Sequence, residues 1–82
     1  MADEKQQVMD ALCTRVASLF GGEASDYTED TTFASLNIKS VQYSQITTYL
    51  EDEFDIEVPF MKFRRKKTLG EAADYVVELM DM

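Results

Sequence analysis

Three features of this 82-residue chain predict an all-α fold, a four-helix bundle of three main helices and one short one. Apolar residues recur at helical spacing in three long segments. A glycine pair at 21–22 and a T-x-x-E box at 68–71 punctuate those segments where helices should stop and start. The one strand-like stretch, "DIEVP" at 55–59, has no second strand to pair with. Three full helices and a short one at this length give a bundle, with a long loop between the first two helices. Residues 1–82 are expected to form a single domain.

In the first helix Val8, Leu12, Val16 (or Ala11), Leu19 and Phe20 recur on one face. Asp3 is placed to cap it, with Gln6 three residues on, as in a capping box. Gly21 and Gly22 end it. From Glu23 to Asn37 the sequence is polar and turn-like, with room for two short helical turns. Tyr27, Phe33 and Leu36 are set to pin this loop to the core.

A second helix spans about Ser40 to Phe54. Its apolar stripe is Val41, Ile46, Tyr49, Leu50 and Phe54, while Glu51, Asp52 and Glu53 face water. In "DIEVP", Ile56 and Val58 alternate with acids before Pro59 ends the segment, so it is expected to be an extended connection. A short helix covers about Phe60 to Lys66. The last helix opens at the Thr68–Glu71 box and buries Leu69, Ala72, Ala73, Val76, Val77 and Met80.

Composition narrows the chemistry. Hydrophobic residues make up 45% of the chain and charged ones 29%, the balance of a globular protein rather than a disordered one. The sequence contains no histidine, which removes imidazole catalysis and His-ligated zinc. Its single cysteine, Cys13, lies on a helix and allows no internal disulfide; a small buried hydrophobe in a reducing, cytoplasmic setting is expected. No apolar run is long enough for a membrane span, so no stable membrane insertion is expected, and no signal-peptide pattern opens the sequence. There is no Gly-rich phosphate loop, CxxC pair or catalytic triad. The clusters "DYTED" and "EDEFDIE" lack the glycine and ligand spacing of a calcium loop, so no metal site is expected.

The net charge of −8 is unevenly spread. "KFRRKK" at 62–67 holds five of the eight basic residues, leaving three against sixteen acids elsewhere, a net −13. An acidic body repels phosphate backbones, so no nucleic-acid partner is expected. For the basic run three roles stand open: a solvated face paired with the chain's own acids, a surface for an acidic partner, or a membrane-surface contact aided by Phe60, Met61 and Phe63.

The segment "FASLNIKSV" at 33–41 resembles the F-x-x-L-G-x-D-S-L segment of acyl carrier proteins and related phosphopantetheine-binding domains. Phe33, Leu36 and Ser40 fall on the family's phenylalanine, leucine and serine. "YLEDEFDIEVP" is similar to the family's L-E-E-E-F-D-I-E-I-P, and "TLGEAADYVVEL" to its closing T-V-G-D-A-V-D-Y-I. The resemblance covers nearly the whole chain.

It implies a carrier rather than an enzyme, a monomer bearing 4′-phosphopantetheine donated by coenzyme A. The arm would be attached to Ser40 and would hold an acyl group as a thioester. Implied partners are a phosphopantetheinyl transferase and the acyl-loading and acyl-using enzymes of lipid, fatty-acid-like or polyketide synthesis. An unmodified carrier-fold adaptor between proteins, or an aminoacyl or peptidyl carrier, are the alternatives. Ser40 also suits a helix N-cap, which needs no modification.

Three positions depart from the family pattern. Asn37 replaces its glycine and can still adopt a left-handed turn. Val41 replaces its leucine and keeps an apolar contact for the modifying enzyme. Lys39 replaces its aspartate, inverting the charge beside the serine; it either steadies the arm's phosphate or is simply solvated. The family docks largely through acids on the second helix. Here Gln42 and Gln45 stand at typical acidic positions, Glu51 and Asp52 remain, and Lys62, Arg64 and Arg65 replace acids beyond Pro59. By position, Ile46, Leu50, Met61 and Phe63 are candidate walls of an acyl pocket, though plain core is their simpler role; Phe54 and Val76 are placed similarly.

Overall fold

The structure, a computed structural model, describes residues 4–81. Helix α1 runs Glu4–Phe20 and turns Val8, Met9, Leu12, Cys13 and Val16 into the core. The proposed cap Asp3 lies outside the described residues; the Gln6 amide donates to Asp10 Oδ1 at 2.8 Å, one turn along. Gly21 and Gly22 both adopt positive φ, at 97° and 80°. That conformation carries the chain out of the helix with little strain only because neither has a Cβ. The Tyr27 hydroxyl then donates to the Gly21 carbonyl at 2.6 Å, satisfying an acceptor at the helix end.

The long loop contains the two expected turns, a 3-10 turn at Ala24–Asp26 and a short helix α2, Phe33–Leu36. Thr32 Oγ1 accepts from Ser35 N–H at 3.1 Å to start α2. Asn37, at φ 54° and ψ 44°, ends it in the left-handed conformation. The position at which the family carries glycine thus keeps the glycine-like backbone.

Helix α3 spans Ser40–Phe54 and buries Tyr43, Ile46, Thr47 and Leu50. Val41, expected in the apolar stripe, is instead 65% exposed. A helix advances about 100° per residue, so the face containing Tyr43, Ile46, Thr47 and Leu50 points Val41 outward. Residues 56–59 form no strand, and Val58 is buried. Helix α4 is shorter than expected, Phe60–Arg64, and it buries Phe63 completely. Helix α5, Leu69–Met80, is capped by Thr68, whose Oγ1 accepts from Glu71 N–H at 3.1 Å. Helix α1 packs against α5 and α3, and α4 against α3.

Backbone hydrogen bonds fasten the loop to the start of α5. Phe33 N–H donates to Lys67 O at 3.0 Å, Leu69 N–H to Thr31 O at 2.9 Å, and Gly70 N–H to Glu29 O at 3.0 Å. The first N–H groups of a helix lack partners within it, and here the loop's carbonyls supply them. Lys5 adds ion pairs to Glu29 at 2.6 Å and to Asp74 at 3.1 Å, joining α1, the loop and α5 at the surface.

Gly70 lets the loop approach this closely. A Cβ there would lie 2.9 Å from Glu29 Cβ and 3.0 Å from its carbonyl oxygen. Gly70→Ala gains helix propensity but forces the loop backbone away. We expect a net loss of about 1–3 kcal/mol, the usual range for overpacking, measured as a lowered urea midpoint.

Candidate functional site

The N-terminus of α3 shows how Ser40 is held. Lys39, at φ −102° and ψ 162°, is the N-cap residue, and Ser40 is the first helical residue. The cap reading of Ser40 is therefore corrected. Gln42 Oε1 accepts from Lys39 N–H at 2.8 Å, half of a capping box made without a hydroxyl. The Lys39 carbonyl accepts from both Gln42 N–H and Tyr43 N–H at 3.0 Å.

Ser40 is exposed, and among the described residues its hydroxyl has no hydrogen-bond partner. The N–H groups of Ser40 and Val41 likewise find no acceptor there. Free N–H groups and the positive end of a helix dipole favour an anion beside this hydroxyl. An exposed, unengaged hydroxyl in that setting can carry a phosphodiester, so the residues present fit a phosphopantetheine arm. Lys39, also exposed, adds a positive charge next to it.

The remaining candidates fall into three places. Val41, Gln45 and Asp52 line one shallow groove of about 320 Å³ on the outer side of α3, with Arg15 of α1 stacked over the Tyr49 ring at 5.5 Å. Gln42 is half-buried and spent on the Lys39 N–H. Glu51 is turned inward rather than facing water. Its Oε2 accepts from Val58 N–H at 2.8 Å, which ties the 55–59 connection to α3.

Ile46, Leu50 and Phe63 are completely buried in the shared core, while Met61 is 61% exposed and stands apart from them. None of the four lines the groove beside Val41 and Gln45 or the groove along the basic run.

Among the described residues no carboxylate forms an ion pair with Lys62, Arg64, Arg65, Lys66 or Lys67. Lys66 instead sits over the Tyr75 ring, 4.7 Å from its centre. Arg64, Arg65, Lys66 and Lys67 form one wall of a groove of about 790 Å³. Phe33, Ile38 and Tyr43 supply its apolar surface, and Lys62 lies outside it.

Sequence reasoning passed over Tyr43, which is 8% exposed and belongs to the core. Its ring packs 5.4 Å from that of Phe33 and 6.4 Å from those of Phe60 and Phe63. Its i, i+3 spacing to Ile46 was the available signal. Burial pushes the Tyr43 phenol above its ordinary pKa, and the Arg64 charge pulls it back. No cluster of residues fit to hold a metal ion occurs among the described residues. None of their helices is long and apolar enough to cross a membrane.

The family model described as "Phosphopantetheine attachment site" matches residues 10–76. The acyl carrier protein of Cyanidioschyzon merolae is 27% identical over 75 residues, covering 90% of this chain and 82% of that one. That of Acidothermus cellulolyticus is 25% identical over 77 residues, covering 93% and 92%. The crystal structure of an acyl carrier protein from Thermotoga maritima superposes with a TM-score of 0.77 at 17% identity, covering 95% of this chain and 92% of its own, and so shares the fold. With most of its length matched by the family model, the chain belongs to the phosphopantetheine-binding acyl carrier proteins, which are carriers of a covalently attached 4′-phosphopantetheine rather than enzymes.

Proposed function

We propose that Ser40 is the attachment point of the arm. The chain then serves as a discrete carrier, presenting acyl groups to partner enzymes of lipid, fatty-acid-like or polyketide synthesis. The observation that carries this is the Ser40 hydroxyl itself: exposed, without a hydrogen bond among the described residues, and at the first residue of a 15-residue helix. A cap serine would have its hydroxyl engaged with the N–H groups of the first turn; here Lys39 is the N-cap residue and its carbonyl accepts from Gln42 and Tyr43 N–H, so the Ser40 hydroxyl is left available.

When bound, the arm supplies a thiol on a long tether, on which an acyl group is held as a thioester. The chain's own part is to hold and to present. The Ser40 and Val41 N–H groups and the Lys39 ammonium would hold the phosphodiester. Exposed Val41, with Gln45 and Asp52 along the same groove, gives partner enzymes an apolar contact set among polar groups. Lys62, Arg64 and Arg65 form a second docking surface of opposite sign to the body. Ile46, Leu50, Phe63 and Met61 would line an acyl pocket only if α4 moved away from α3. Helix α4, at five residues, is the element best suited to such movement.

Incubation with coenzyme A and a broad-range transferase tests the assignment by intact mass. One added phosphopantetheine, absent from Ser40→Ala, is expected. An unchanged mass in the native chain, or an equal gain in the variant, would sink it; the unchanged mass would favour the adaptor alternative.

Lys39 should slow this modification, because it presents a cation where the family presents an acid. Lys39→Asp is expected to raise the initial rate roughly two- to thirty-fold, reversing an exposed charge whose contacts are worth about 0.2–1 kcal/mol each. A rate that did not change would show that Lys39 is merely solvated.

A further inference from the structure

The groove beside Ser40 has a composition that carrier function alone does not require. It is lined by the run Arg64, Arg65, Lys66 and Lys67 and by Thr32, Ala34, Asn37 and Ile38. Phe33 and Tyr43 also line it, their ring centres 5.4 Å apart. A concave surface with an apolar base and a few convergent charged groups is the usual form of a small-molecule site.

Two further observations point to an anionic occupant. No carboxylate of the described residues neutralises these four cations, although the chain outside residues 62–67 carries a net −13. Four like charges at adjacent positions repel one another unless an anion joins them. The groove also adjoins the attachment point. Asn37 and Ile38, in its wall, precede Ser40 by three residues and two. Tyr43 follows Ser40 at i+3 on α3, a spacing that places the two side by side on the helix. A flexible arm on Ser40 that folds back over α3 meets the groove.

Resting on attachment at Ser40, we infer that this groove holds the far end of an acyl cargo that bears a terminal carboxylate. The methylenes lie against Phe33 and Tyr43, and the carboxylate is bound by the Arg64–Lys67 run. Arginine is suited to this role because its planar fork pairs with a carboxylate in two parallel hydrogen bonds. A cargo ending in methyl would leave the cations unpaired and gain nothing from them. The carrier thereby favours ω-carboxyacyl groups over simple fatty acyl groups of the same length.

The test uses isotope-labelled protein in three forms: the bare arm, the hexanoyl arm and the adipoyl arm. All are made by transfer from the matching coenzyme A derivatives and checked by intact mass. The adipoyl form is expected to shift the backbone amide signals of Ile38, Tyr43 and residues 64–67 relative to the hexanoyl form. The difference should fade in about 1 M salt, where charges are screened beyond about 3 Å. It should also vanish in the double variant Arg64→Gln, Lys67→Gln. Both side chains are exposed, so that variant keeps the fold.

Indistinguishable hexanoyl and adipoyl spectra would overturn the inference while leaving attachment intact. So would a bare arm that shifts the same signals as fully as adipoyl, since the arm's own phosphate would then be the occupant. Failure to take up any arm, seen in the mass beforehand, would remove both readings together.

Discussion

Phe63→Ala is expected to remove a large fraction of this protein's stability. Phe63 is completely buried although it belongs to a helix of only five residues. Its ring meets Phe33 edge-on at 5.9 Å and Tyr43 at 6.4 Å, so three elements, α2, α3 and α4, converge on one side chain. Truncating a buried phenylalanine costs about 3–5 kcal/mol, the lost transfer energy plus a cavity. At roughly 0.05–0.15 kcal/mol per residue, a chain of this length has a total stability of about 4–12 kcal/mol. The substitution therefore removes a large fraction of it. The urea midpoint should fall steeply with the slope unchanged, and a loss under about 1 kcal/mol would show that the site collapses and refills. Such a short helix has little stability of its own, so Phe63 is what holds α4 in place.

Ser40→Ala should have the opposite profile, total loss of arm uptake with hardly any change in stability. A true N-cap serine replaced by alanine costs about 0.5–2 kcal/mol. Ser40 instead sits inside the first turn with its hydroxyl unengaged, where alanine is a better helix former. We expect a stability change within about 0.5 kcal/mol, as for other exposed substitutions. Equal unfolding midpoints and a missing phosphopantetheine mass together separate a modified serine from a structural one. A destabilised variant would mean that the hydroxyl does cap α3 in solution. The companion substitution Gln42→Ala should carry the capping loss instead, because Gln42 Oε1 holds the Lys39 N–H.

The two variants mark how far the sequence could be followed. Local signals were reliable where the cause was local. The Gly21–Gly22 stop, the Thr68 cap and the left-handed Asn37 are backbone preferences of one or a few residues, and each stands in the structure as the sequence predicted. The three long helices follow from periodicity. The family resemblance likewise rests on contiguous strings, and the family comparison upholds it.

Other features depended on partners distant in sequence. Val41 and Tyr43 are both apolar residues in the first turn of α3. One is exposed and the other buried, because α4 and the Phe33 turn cover only one side of that turn. Glu51 stands in an acidic run that looks fully solvated, yet a chain reversal at Asp55 brings the Val58 N–H to its carboxylate. The basic run 62–67 gave three possible roles from sequence, and among the described residues it makes no ion pair with the chain's own acids.

By itself, then, the sequence determined the three long helices, the Thr68 cap and the family, all of which arise from interactions within a few residues of one another. Only the tertiary structure decided that Val41 is exposed while Tyr43 is buried, and that Thr32, Phe33, Asn37 and Ile38 line one groove with residues 64–67. The physical reason is that burial and charge neutralisation depend on which distant segments the backbone brings together. Here Leu69 and Gly70 N–H donate to the Thr31 and Glu29 carbonyls and Phe33 N–H to that of Lys67, holding the loop against the start of α5.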